Sequence, residues 1–135
     1  FSAFGGNPFF VDPEKLFQKG LLSSAELEGA KQKNPYSCEF ERLNSERFEL
    51  LKKASLRVSD RTEIDEFIEK HPRLEAFCRF MTLRSQNGFR TWQEWESNEI
   101  TDTVTLDTWK FIQYEFFTQW AEIKNYANSK VLLLI

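Results

Sequence analysis

Long apolar runs are missing from this sequence: the longest, Val131 to Ile135, has five residues. A helix needs about 20 to cross a bilayer, so no membrane-spanning helix is expected, and with no signal-peptide pattern at the start the chain reads as soluble and cytoplasmic. Cysteine is scarce as well. Cys38 and Cys78 lie forty residues apart, which excludes a disulfide framework and the paired spacing of a metal site. Both fall in helical patterns and read as buried free thiols. Nor does one sign of charge dominate: 18 basic against 21 acidic residues leave a net charge of −3, too near neutral for the basic surface that DNA or RNA requires. No nucleic acid, metal or cofactor is therefore expected.

Aromatic mass, by contrast, is plentiful. The chain carries 14 Phe and 4 Trp among 41% hydrophobic residues, enough to form a core, and disorder is excluded. Its 135 residues suit one domain and fall well short of the roughly 250 of a complete (β/α)8 barrel. Neither a repeat nor a Gly/Ser/Pro-rich linker divides it.

The opening, FSAFGGNPFFVDPEKLFQKGLL, reads as a loop with the turn signal Asn7-Pro8. Phe9, Phe10 and Val11 then predict a short buried strand. Asp12-Pro13 starts a helix, because the carboxylate can cap free amides and proline at the first position gives up no bond; Gly20 ends it. Ser23 or Ser24 caps a charged helix of about three turns that Asn34-Pro35 breaks. From Ser37 a longer helix carries Phe40, Leu43, Leu50, Leu51 and Ala54 at helical spacing, with Phe48 off that stripe and buried on a second face. Ser59 or Asp60 caps the next helix, which turns Ile64, Phe67 and Ile68 inward and stops at His71-Pro72. Another runs from about Arg73 to Gln86, with Leu74, Phe77, Cys78, Met81 and Leu83 inward and Asn87-Gly88 as its end. Trp92 and Trp95 share one side of a capped turn. The strongest periodicity comes last: Trp109, Ile112, Phe116, Trp120, Ile123 and Ala127 form one stripe, and Phe111, Tyr114 and Phe117 a second. Val131 to Ile135 then reads as a strand buried on both faces, as in a parallel sheet. Strand, helical excursion, long helix and strand together make a βαβ unit with a large insertion, truncated at both ends.

Catalytic constellations are not apparent. His71 sits at a helix end, where a surface role beside the helix dipole suffices. The glutamates of the helices have Lys or Arg three or four positions away and read as solvated ion pairs. Gly5-Gly6 lacks the pattern of a phosphate loop. Aromatic rings could stack on sugars, but at helical spacing they read first as core.

Three blocks carry a resemblance. SAFGGNPFFVDPEKLFQKGLL is similar to the S-x-F-A-G-N-P-x-x-I-D-x-x-x-L-x-x-x-G-L-L segment of the 4-alpha-glucanotransferases, also called amylomaltases or disproportionating enzymes. FCRFMTLRSQNGFRTWQEW resembles that family's F-M-A-L-K-x-x-x-G-x-x-x-W-x-x-W, and FIQYEFFTQWAEIKNYANSK its F-x-Q-x-x-F-x-x-Q-W-x-x-L-x-x-Y-A-N. The blocks occur in the family's order and cover most of the chain.

The resemblance implies a segment of a (β/α)8 (TIM) barrel that is itself mainly α: residues 1–135 as one segment, 13–98 as a helical insertion, and 105–135 as a barrel helix and strand. It implies an enzyme that transfers α-1,4-glucan segments between maltooligosaccharides with retention. Such chemistry uses two carboxyl groups roughly 5 to 5.5 Å apart; in the family's motifs these follow the last residue here, so no catalytic residue is assigned to this chain. Two residues are carried over as substrate-binding. Asn7 matches the Asn of G-N-P, where its side chain fixes a loop near the cleft or touches sugar. Phe40 matches the aromatic of a V-D-Y element, read here as Cys38-Glu39-Phe40, and serves as an outer platform for glucan or as core. The alternative from another class is a stand-alone helical binding or protein-interaction module. In isolation the chain is expected to self-associate through the edges of its two strands and the strip of Phe111, Tyr114 and Phe117.

Overall fold

The computed structural model describes residues 4–34 and 36–130. Among them the regular structure is helical: α1 (Pro13–Gln18), α2 (Ser24–Ala30), α3 (Phe40–Leu56), α4 (Thr62–Glu69), α5 (Pro72–Gln86) and α6 (Thr103–Ser129), with 3-10 turns at Pro8–Phe10 and Trp92–Glu94. The mainly α expectation is met. The strand and barrel pieces are not seen among the described residues, and the strand expected over 131–135 lies outside them.

The strand expected at Phe9 to Val11 is instead a 3-10 turn with Val11 extended and buried behind it. Asn7 Oδ1 accepts from the Phe9 amide at 2.9 Å, and Pro8 holds the first turn position with its fixed φ. A strand would need a neighbouring backbone to satisfy its amides. Here local groups serve: beside the Asn7 side chain, the Asn7 and Pro8 carbonyls accept from the Phe10 and Val11 amides, and just beyond them the Asp12 amide donates to Gln119 Oε1 at 2.8 Å.

The short helices start as the sequence indicates. Asp12 Oδ1 accepts from the Glu14 amide with Pro13 beside it. Gly20, at φ 75°, ends α1 in the left-handed conformation that glycine tolerates. Ser23, not Ser24, caps α2, in a reciprocal box with Glu26. The Arg57 guanidinium, donating through two nitrogens, and the Ser23 amide pull the Glu26 carboxyl down to about 2.

Helix α3 starts at Phe40 rather than Ser37. Its Leu51, Ala54 and Ser55 are buried, while Phe48 packs on Trp109 of α6 with ring centroids 5.3 Å apart, the second-face burial its register required. Asp60 starts α4 by accepting from the Thr62 amide and hydroxyl, and Ile64 and Ile68 go inward. Pro72 does more than stop α4: it opens α5 at the first helical position. Leu74, Cys78 and Thr82 form the buried line of α5, and Leu83 is only half-buried. Trp92 is exposed whereas Trp95 stacks on Phe80 at 5.5 Å, so the two tryptophans do not share a packed side.

α6 is 27 residues long, roughly 40 Å at 1.5 Å per residue, and α3, α4 and α5 all pack on it. Its first half is enclosed: Trp109, Phe111, Ile112 and Gln113 are buried. The stripe read from the sequence continues into solvent, with Trp120 43% exposed and Ile123 more so. The second strip is the covered one. Phe111 is buried, and Tyr114 and Phe117 meet Phe67 of α4 at 5.7 and 6.1 Å, so this strip is not the exposed face expected from the sequence.

Both cysteines are free, but only Cys78 is buried; Cys38 lies exposed before α3, correcting the expectation of two inward thiols. Burial pushes the Cys78 thiol up to about 12, so at pH 8 it holds almost no thiolate. One equivalent of a disulfide reagent should react fast with the native chain and the second only on unfolding. Cys38→Ser should abolish the fast phase, and its persistence in that variant would contradict this placement.

Candidate functional site

The segment that carries Asn7 lies across α6 and is stitched to it by side chains. Gln113, 0% exposed, accepts from the Gly6 amide at 2.6 Å through Oε1 and donates to the Gly6 carbonyl at 3.1 Å through Nε2. One side-chain amide thus pairs both polar groups of one residue, as a neighbouring strand would. Gln119 takes the Asp12 amide through Oε1 and donates Nε2 to Glu115 at 3.3 Å. Glu115 is the one buried carboxylate among the described residues, and Lys19 Nζ meets both its oxygens at 2.8 Å. Lys15 pairs with Glu122 further along. Apart from Gln119 and Glu115, neighbours on α6, these partners are 96 to 107 residues apart in sequence.

The stitched segment separates two concave surfaces, and Gly6 borders both. On one side a cleft of about 600 Å³ runs between the Pro8 turn, α3 and α5; Phe9, Phe48, Phe77, Phe80 and Trp109 line it, with Arg84 at its wall. On the other a groove of about 580 Å³ is formed by Phe4, Phe10, Phe116, Trp120 and Ile123. Aromatic walls with a few polar groups suit the C–H faces of sugars as well as apolar ligands.

Asn7 and Phe40, the two residues singled out in sequence, are not brought together. Asn7 caps the Pro8 turn through Oδ1, a loop-fixing role that leaves sugar contact unaddressed. Phe40 is 63% exposed at the first position of α3, so it is not core. Nearby is a smaller depression of about 270 Å³ between α2 and α3, lined by Glu39, Arg42, Glu46 and Lys53. Arg42 joins the two helices there: it pairs with Glu39 and Glu46 and donates to the carbonyls of Gly29 and Lys31.

Buried Gln113, which bonds the residue beside Asn7, was missed as part of the site, as were the buried Glu115 and Gln119 that fasten the chain to α6 further along. The available signal was a polar row inside an otherwise apolar helix, which burial permits only when every group is paired. Among the described residues no group of three His, Cys, Asp or Glu could hold a metal ion, and no helix is long and apolar enough to cross a membrane. The single buried carboxylate is already paired with Lys19 and Gln119 and is not placed to act as acid or nucleophile.

Comparison with known proteins covers the chain from end to end. The family model described as 4-alpha-glucanotransferase matches residues 1–135. A 4-alpha-glucanotransferase of Clostridium butyricum is 33% identical over 155 aligned residues, spanning 100% of this chain and 31% of the relative. One from Streptococcus pneumoniae is 28% identical over 100% of the chain and 30% of its own length. Among solved structures, the amylomaltase from Streptococcus agalactiae in complex with acarbose superposes with a TM-score of 0.85 at 24% identity, over 98% of this chain and 30% of that one. The chain thus spans about 30% of the length of the relatives it matches. With a family match over every residue, the chain belongs to the 4-alpha-glucanotransferase family.

Proposed function

We propose that a full-length protein carrying this chain is a cytoplasmic 4-alpha-glucanotransferase that moves α-1,4-glucan segments between maltooligosaccharides. The observation that carries the reading is the family match over all 135 residues. A retaining transfer needs a carboxylate nucleophile to form a glycosyl-enzyme and a carboxylic acid to protonate the departing oxygen, then to deprotonate the incoming hydroxyl. No residue of this chain takes either role. Its part is to build one wall of the glucan path: residues 13–98 as a helical insertion and 105–135 as a barrel helix and strand, with Asn7 held in a fixed loop and Phe40 presenting an aromatic plane to glucan. The exposure of Phe40 and the capped geometry of Asn7 support this. The exposed groove of Phe10, Trp120 and Ile123 faces the rest of the protein, and in the isolated chain it drives self-association.

The test is transfer from maltotriose. The full-length protein should release glucose and longer maltooligosaccharides, while the 135 residues alone should do neither. No transfer by the folded full-length protein would overturn the reading.

A further inference from the structure

We propose that Gln113 is a positioning residue for the substrate-facing loop of Asn7, acting through Gly6. The inference rests on the function proposed above and adds a residue to it. Three observations support it independently of any carbohydrate. Both polar ends of a fully buried side chain are devoted to the two polar groups of Gly6. Gly6 has no room for a Cβ, which would lie 2.3 Å from the Phe116 ring, so the backbone is seated directly on α6 at this point. Asn7 is the next residue, and its side chain turns back to cap the Phe9 amide.

The position of Asn7 is therefore set from both sides, by its own cap and by the clamp on its neighbour. Gln119 holds the far end of the same segment at Asp12, about 9 Å further along the helix axis for a separation of six residues. The two glutamines resemble each other in burial and in bonding to backbone, but only Gln113 grips beside Asn7. That difference separates positioning from a general contribution to packing.

The experiment compares Gln113→Met and Gln119→Met in the full-length protein. Methionine keeps the length and apolar stem of glutamine while removing both hydrogen-bonding ends. For Gln113→Met we expect hydrogen exchange at the Gly6 amide to accelerate and KM for maltotriose to rise about tenfold with kcat within about twofold, the pattern of lost binding shared by ground and transition states. Gln119→Met should lower the thermal midpoint comparably and leave KM at the wild-type value. Should Gln113→Met fail to fold, Gln113→Asn, which keeps a neutral amide but sets it one methylene short of Gly6, is judged by the same readouts. Unchanged Gly6 exchange and unchanged KM in a folded Gln113 variant would overturn the proposal, as would an equal KM rise in Gln119→Met. If the wild-type protein transfers no glucan, the functional reading fails, and Gly6 exchange still decides whether Gln113 holds the loop.

Discussion

Phe111→Ala should destabilise the chain by about 3–5 kcal/mol, the range for removing a large aromatic side chain from a closed core. Phe111 is 1% exposed and lies in the enclosed half of α6. Its surroundings come from separate parts of the chain: it belongs to one core with Ile64 of α4, against which Leu21 after α1 and Val58 after α3 are packed. Elements held this way cannot all collapse onto the space left by the ring, so the cavity cost adds to the lost transfer energy. The comparison is Phe10→Ala, since Phe10 is the same residue type and 74% exposed; its removal should change monomer stability by no more than about 0.5 kcal/mol. Urea unfolding of both variants checks the pair. Against a total stability of about 5–15 kcal/mol for a domain of this kind, that loss is a large fraction, and only at the low end of the range is the Phe111 variant partly unfolded in dilute buffer. Equal midpoints for the two variants would show that the core is not where the structure has it.

Gly6→Ala should cost about 1–3 kcal/mol through overpacking, whereas Gly29→Ala should add about 0.5 kcal/mol of stability by reducing the freedom of the unfolded chain. The contrast follows from what each new methyl would meet. At Gly29 nothing lies within 4 Å. At Gly6 the methyl would fall 2.3 Å from the Phe116 ring and 2.9 Å from the Phe116 Cβ. Rotating the ring moves the first contact but not the second, because Cβ is fixed to the backbone of α6. Relief thus requires the loop to lift, which stretches the Gln113 clamp at the same residue. Gly5 is a milder case: its contacts are with the far end of the Phe77 ring, and that end can swing. Denaturation midpoints in the order Gly29→Ala, wild type, Gly5→Ala, Gly6→Ala are expected, and a Gly6→Ala chain as stable as wild type would contradict the seating of the loop.

Much of the molecule was legible because its causes are local. Asp12-Pro13, the serine cap before α2, Gly20 and Gly88 act over three or four residues, and the helix ends they mark are found there. The periodicity of α6 identified the longest helix, and the blocks around Asn7, Trp92 and Gln113 indicated the family that the full-length match then established. What periodicity leaves open is how far along a stripe the cover extends. Trp109 and Trp120 lie on the same stripe, yet α3 and α5 pack over the first and leave the second exposed.

The sequence by itself therefore determined the helices, most of their ends and the family, since composition and short-range stereochemistry decide those. Tertiary structure alone decided the conformation of Phe9 to Val11, the exposure of Cys38 and Phe40, and the pairing of Gly6 with Gln113. An apolar triplet satisfies its backbone with whatever partner is nearest. Here those partners are the Asn7 side chain and the carbonyls of Asn7 and Pro8, while Gln113 and Gln119 hold the flanking Gly6 and Asp12 from about a hundred residues away, and no local pattern encodes that closure.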